Sequence, residues 1–270
     1  MIKEITSTKN RIFKLCCQLQ SKKYRDKEDK YIIEGENLLE EAVKNNKKIY
    51  AIMLREDVVL RDDFDIDSDT SVYSMPRKLF DMISQTETSQ GIIAIVNKPH
   101  YDIESLKTII SDKDCIVVLD RLQDPGNIGT IIRTADAAGY KCVVALKGTA
   151  DIFSPKVIRA ATGSVFRVPI ILAENSRELV KLVSELHLKI VATSLKAKDF
   201  YHNVNLTEGI ALVIGNEGNG ISDELVDIAD IKIKIPMEGN IESLNASVAA
   251  GILMYERLRC FSTKKNREVR

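Results

Sequence analysis

Cys115-Ile116-Val117-Val118-Leu119 is followed by Asp120-Arg121-Leu122-Gln123-Asp124-Pro125-Gly126-Asn127 and then by the run Ile128 to Ala138. Five apolar residues in succession have no polar face, so they suit a strand covered on both sides. Beyond the loop, Ile128, Ile131, Ile132, Ala135 and Ala138 fall on one helical stripe. Pro125 and Gly126 turn the chain, Asn127 is placed to cap the helix, and Gly139 can end it. Downstream the pattern repeats. Strands are expected at Cys142 to Leu146, Lys189 to Thr193, Ala211 to Ile214 and Ile231 to Ile235, with helices near Leu179 to Leu186 and Asn245 to Arg259. Strands alternating with helices predict an α/β domain with a parallel sheet and helices on both faces. In such sheets ligands sit beyond the carboxyl ends of the strands.

Upstream, Ile32-Ile33 precedes Glu34-Gly35 and a helix from Glu36 with Leu38, Leu39, Ala42 and Val43 on one stripe. A strand from Ile49 to Leu54, a helix opened by Pro76 and a strand from Ile92 to Val96 complete a small α/β unit. The pattern breaks at Asn97-Lys98-Pro99-His100. The expected division is therefore a first domain over residues 1–98, a linker over 99–113 and a larger domain over 114–270.

The 270 residues carry no net charge, so electrostatics alone neither require nor exclude a nucleic acid. The first thirty residues are basic, with Lys9, Arg11, Lys14, Lys22, Lys23 and Arg25 among them. Glu56 to Asp69 is an acidic surface run, and Lys264 to Arg267 is a basic tail. A basic start on a modest domain suits either RNA contact or a solubilising surface. Five cysteines without Cys-x-x-Cys spacing or nearby histidines read as idle thiols in a reducing compartment. No metal constellation is visible. No window has about eighteen uncharged apolar residues, and the expectation is a cytoplasmic protein without a membrane span.

Three loops after strands are chemically unusual. The first carries Asn127 and, on the following helix, Arg133, which turns away from the apolar stripe. The second is Gly215-Asn216-Glu217-Gly218-Asn219-Gly220-Ile221-Ser222. Three glycines there mean close backbone passage or positive φ. A P-loop is excluded because the phosphate-binding lysine is missing, and the glycine order does not match the dinucleotide fingerprint. Glu217 has a simpler reading as a first-turn acid of the next helix. The third runs from Ile235-Pro236-Met237 through Ser243-Leu244-Asn245 into a helix opening with Ala246, Ser247, Ala249, Ala250 and Gly251. Such small residues permit close approach of a ligand, a helix or a second subunit.

The ordered set N-x-G-x-x-x-R, G-N-E-G-x-G and I-P-M-x-G-x-x-x-S-L-N-x-S-V-A-A resembles the SpoU (TrmH-type) branch of the SPOUT methyltransferases over about residues 114 to 259. The resemblance implies a deeply knotted α/β fold, threaded by the third segment, and a homodimer with S-adenosylmethionine as cofactor. It also implies that Arg133, Asn127, Glu217 and Asn245 are catalytic, and that Gly215, Ile235 and Leu244 hold the cofactor, with Thr193 a weaker match for that pocket. Tyr31-Ile32-Ile33-Glu34-Gly35 and Ser89-Gln90-Gly91-Ile92-Ile93-Ala94 resemble the small ribosomal-protein-like domain that many members use to bind RNA.

Ribose 2′-O-methylation needs an oxygen in line with the sulfonium methyl and a route for one weakly acidic proton. The family resemblance implies Arg133 as the base, yet arginine deprotonates very reluctantly. The expectation here is that Arg133 binds the adjacent phosphate and the developing alkoxide, oriented by Glu217 and Asn127. Arg159, in Ser154-Pro155-Lys156-Val157-Ile158-Arg159, is either an RNA contact or a surface charge. 23S ribosomal RNA is the first expected substrate and transfer RNA the second. A non-catalytic RNA-binding protein of the same fold is the rival class, and it would be expected to have lost Arg133, Glu217 or Asn245.

Overall fold

A run such as Cys115 to Leu119 is stable only when both faces are covered, and all of Cys115–Asp120 is buried within a seven-stranded sheet. The computed structural model describes residues 2–61, 63–241 and 243–268, with side chains through 260. Asp62 of the acidic run, Glu242, and the side chains of Lys264 to Arg267 lie outside the described residues. In chain order the elements begin with β1 (Lys3–Glu4), α1 (Arg11–Leu19), α2 (Lys22–Glu28), β2 (Lys30–Glu34), α3 (Glu36–Lys44), β3 (Ile49–Arg55), β4 (Ser71–Met75), α4 (Arg77–Ile83) and β5 (Ile92–Asn97). They continue with α5 (Ile103–Ile109), β6 (Cys115–Asp120), α6 (Pro125–Ala137), β7 (Cys142–Leu146), α7 (Pro155–Ala161), β8 (Ile170–Ala173) and α8 (Ser176–Glu185). The last are β9 (Lys189–Thr193), β10 (Asp199–Phe200), β11 (Ile210–Gly215), α9 (Asp223–Ile228), β12 (Ile231–Lys234) and α10 (Ala246–Glu268).

Two compact units result. One comprises the residues through Pro99 together with Phe153–Arg167, and the other His100–Ile152 with the residues from Val168 onward. In the first, the sheet order is β1-β4-β3-β5-β2. β5 runs antiparallel to β2 and β3, and the remaining pairs are parallel. Phe13, Leu19, Ile32, Met53, Phe80 and Ile93 form part of its core. The segment around α7 joins this unit through apolar and charged contacts. The rings of Tyr31 and Phe153 lie 5.0 Å apart, and Lys98 sits over Phe153 while bonding Asp26 at 2.7 Å. The Arg167 guanidinium pairs with Glu41.

The first segment of the first unit ends at Pro99, next to the pattern break, while two other stretches group otherwise than the sequence pattern suggests. Residues 153–167 group with the first unit although they lie far beyond the pattern break. Residues 99–113 contain a helix, α5, opened by an Asp102/Ser105 capping box. Leu106 and Ile110 of this stretch are buried in the second core, so it packs as structure and not as a linker.

In the second unit the order is β10-β12-β9-β11-β6-β7-β8, with every adjacent pair parallel. Ile116 and Val118 share a core with Leu106 of α5, Leu179 and Leu182 of α8, and Leu225 of α9. The alternate residues Val117 and Leu119 face the other way, where α6 and α10 pack against each other. Helices thus cover both faces. The edge strand β8 went unread in the sequence because Pro169 and the short Ile170 to Ala173 run show no clear period; Leu172 is 59% exposed. Among the described residues no helix is long and apolar enough to cross a membrane.

Candidate active site

The parallel sheet brings the carboxyl ends of β6, β11, β9 and β12 side by side, and three of the following loops are fastened to one another. At the end of β6, Asp120 is buried; its Oδ2 accepts from the Ser222 amide at 2.7 Å and its Oδ1 pairs with Arg121 at 3.1 Å. Arg121 itself has φ 58°. That left-handed conformation costs a non-glycine residue on the order of 1–2 kcal/mol. Its peptide groups hold it there. The amide donates to Thr149 Oγ1 at 3.1 Å, and the carbonyl accepts from Asn216 Nδ2 at 2.8 Å and Gln123 Nε2 at 3.0 Å.

Helix α6 starts earlier than its apolar stripe suggests. Asp124 is the N-cap, accepting from the Asn127 amide at 2.8 Å, and Pro125 occupies the first turn. Asn127 is therefore not the cap expected from the sequence, and its side chain is released for another task. Its Nδ2 donates to Glu217 Oε1 at 3.0 Å and its Oδ1 accepts from Asn245 Nδ2 at 2.9 Å. Glu217 also takes the Gln123 amide at 3.1 Å and the Asp124 amide at 3.0 Å. It is thus a tie between loops, and Asp223 and Glu224 are the first-turn acids of α9. Asn245 in turn accepts from the Ser247 amide and hydroxyl at 2.9 and 2.7 Å, which opens α10. One polar chain, Glu217 to Asn127 to Asn245, is made of two links that span 90 and 118 residues of sequence.

Asn245→Asp separates the two duties of that side chain. An aspartate can still cap α10, but it loses the donor to Asn127 and sets an acceptor against Oδ1. Melting temperature is expected to change by no more than about 3 °C, roughly the effect of 1 kcal/mol in a chain of this size. The methyl transfer that the sequence resemblance implies is expected to fall at least about tenfold. Calorimetry and a single-turnover assay check both, and equal loss of fold and activity would deny Asn245 its separate contact.

Desolvation works to raise the pKa of Glu217, but hydrogen bonds from Asn127 and from the Gln123 and Asp124 amides outweigh it and hold the carboxyl below its ordinary range. A lowered folded pKa means the ties stabilise the protein above the ordinary carboxylate value and fade as pH falls through the lower folded one. The melting-temperature gap between wild type and Glu217→Gln should therefore stay level from about pH 6 to 8 and narrow below about pH 4. A gap that instead varies between pH 6 and 8 would contradict this. Elsewhere, burial pushes the Cys142 thiol up to about 12 and also raises Cys16 and Cys115. These thiols are poor nucleophiles at neutral pH.

The tip after β11 depends on glycine. Asn216 and Gly220 exchange backbone bonds at 3.0 and 2.9 Å, with Gly220 at φ +67°. A Cβ on Gly215 would lie 2.2 Å from the Ile221 nitrogen and 2.3 Å from the Gly220 carbonyl carbon. Thr193, Gly215, Ile235 and Leu244 are all half-buried, and the strand order puts the β9 end, at Thr193, between those of β12 and β11. Apolar side chains and strand-end peptide groups, with no charge among them, fit a flat heteroaromatic group read by backbone hydrogen bonds. Arg133 lies two turns beyond Asn127, exposed, and is not among the donors to Glu217. Arg159 belongs to the first unit, and its Nη1 is shielded from solvent without a hydrogen-bond partner among the described residues. Asp120, Gln123, Thr149 and Asn216 were not singled out in the sequence. An aspartate ending an apolar strand and an asparagine preceding Glu217 were the available signals.

The fold is shared with solved RNA methyltransferases. The AdoMet-bound rRNA methyltransferase from Sinorhizobium meliloti is 32% identical, with a TM-score of 0.86 over 96% of this chain and 98% of that one. AviRb from Streptomyces viridochromogenes, a SpoU methyltransferase in complex with AdoMet, is 27% identical with a TM-score of 0.84 over 93% and 97%. The 23S rRNA (guanosine(2553)-2'-O)-methyltransferase RlmP of Bacillus subtilis (strain 168) is 36% identical over 94% of this chain and 98% of its own. Residues 114–255 match the SpoU rRNA Methylase family, and residues 10–94 match the MRM3-like substrate binding domain. The chain belongs to the SpoU rRNA Methylase family.

Proposed function

We propose that this protein transfers a methyl group from S-adenosylmethionine to a ribose 2′-hydroxyl of 23S ribosomal RNA. The observation that carries the reading is the Glu217–Asn127–Asn245 chain, which fixes three carboxyl-edge loops around one place. Thr193, Gly215, Ile235 and Leu244 would hold the cofactor, which supplies an electrophilic methyl group on a sulfonium. Arg133, exposed and outside the loop network, binds the phosphate beside the target ribose and offsets negative charge developing on the 2′-oxygen. Glu217 and Asn127 orient Arg133 through the loop and helix that they fix. Arg159 and the basic start of the first domain contribute RNA contacts.

The proposal includes a trefoil knot closed by the segment between β12 and α10, and a cytoplasmic homodimer. Val248 and Tyr255 on α10 are 50% and 51% exposed, and Ile252 between them is half-buried. Their spacing puts them on one helix face, which a second copy would cover. Isothermal titration with S-adenosylmethionine tests the cofactor, and absence of binding overturns the proposal. Mapping 2′-O-methylation in cells with and without the protein tests the substrate, since loss of a mark in transfer RNA alone would remove the ribosomal assignment.

A further inference from the structure

An aromatic cluster with no part in the site above stands at the free edge of the seven-stranded sheet. Edge strand β10 pairs with β12 in the register Asp199 to Ile233 and Phe200 to Lys234. The chain then makes a single 3-10 turn over Tyr201–Asn203. The Phe200 and His202 rings are nearly parallel, 5.6 Å apart with 8° between their planes, and Tyr201 meets His202 edge-on at 5.2 Å. Lys234 places its ammonium 5.0 Å from the Phe200 ring centre. His202 is exposed while Phe200 and Tyr201 are half-buried, so the stack is anchored from within and ends outward on an imidazole.

Two further observations say what such a platform would hold. Lys196 and Lys198 lie just before the cluster in the chain and Lys232 on the neighbouring strand β12, all exposed, with Asp199 among them, while Glu256 and Arg259 of α10 lie within electrostatic reach of His202 and Tyr201. Ile233 stands opposite Thr193 on one side and Asp199 on the other, which puts β10 two strand spacings, about 10 Å, from β9. Thr193 and Ile235, the residue after β12, are proposed to hold the cofactor. An aromatic plane with Lys234 against it and exposed lysines nearby in the chain suits a nucleobase with its phosphates, because any base can stack while the lysines attract the backbone.

We infer that His202, stacked on Phe200 and braced by Tyr201, is a stacking platform for an unpaired base of the RNA close to the methylated nucleotide, and that Lys196 and Lys198 hold the neighbouring phosphates. This rests on the RNA methyltransferase reading. The platform is a positioning element and touches none of the reacting atoms.

Full-length wild type, His202→Ala, His202→Phe and Lys198→Gln are compared for binding of a single-stranded RNA oligonucleotide, methyl transfer to ribosomal RNA, S-adenosylmethionine affinity and sedimentation. His202→Ala should weaken RNA binding and raise KM at least about fivefold, with kcat changed less than about twofold. His202→Phe should restore binding. Lys198→Gln should lower the slope of log affinity against log salt by about one unit. Cofactor affinity and sedimentation should not move. Unchanged RNA binding in His202→Ala overturns the inference, as does an altered sedimentation coefficient, which would mark the cluster as a contact between copies. If wild type binds RNA through His202 yet neither binds S-adenosylmethionine nor methylates, the catalytic reading fails and the platform stands.

Discussion

Replacing Gly215 with alanine is expected to weaken S-adenosylmethionine binding at least about a hundredfold, nearly 3 kcal/mol at this site. The added methyl would meet the Ile221 nitrogen at 2.2 Å and the Gly220 carbonyl carbon at 2.3 Å. Both are backbone atoms, so no rotamer change relieves the clash. The ring closed between Asn216 and Gly220 must open, and Glu217 is carried away from Gln123, Asp124 and Asn127. Overpacking of about 1–3 kcal/mol should also lower the melting temperature by about 2–12 °C. Titration calorimetry decides the matter. Wild-type affinity in a folded Gly215→Ala protein would show that the cofactor does not use this loop.

Arg133→Ala should reduce kcat about 10²–10³-fold while leaving S-adenosylmethionine affinity intact, the loss typical of removing one stabiliser of developing charge. The side chain is exposed and stands apart from the loop network, so its removal disturbs little structure. Lysine at this position keeps the charge and loses the planar fork, and Arg133→Lys should recover less than about a tenth of the rate. Methyl transfer under single-turnover conditions measures this. Full activity in the lysine variant would show that charge alone suffices.

The central architecture could be read from residues because its signals are local. Cys142–Leu146 and Lys189–Thr193 form strands over the very residues that their apolar runs marked. Loop chemistry was legible in part. The three motifs pointed to Asn127, Glu217 and Asn245, which do converge, but the bonds joining them span separations that no periodicity reports. An asparagine before an apolar stripe often caps the helix, which is the sequence's case for Asn127; Asp124, with Pro125 after it, holds that place instead. The four loop-holding residues were missed for the same reason, since Asp120 and Ser222 are neighbours only once β6 and β11 pair. The division into units was the least visible feature. A break in pattern marks where one core stops, yet it does not show that Phe153–Arg167 will pack beside Tyr31 and Glu41.

That excursion bears on how the chain acquires its shape during translation. The first unit draws its final piece from beyond Phe153, so its folding cannot finish when Pro99 leaves the ribosome. At about 5–20 residues per second, several seconds pass before Arg167 emerges as well. For that interval the surface of Tyr31 that will meet Phe153 has no cover of its own, and the nascent protein is open to proteases and chaperones. Chains stalled with 167 residues outside the exit tunnel should resist proteolysis in this region, and those stalled with 99 should not.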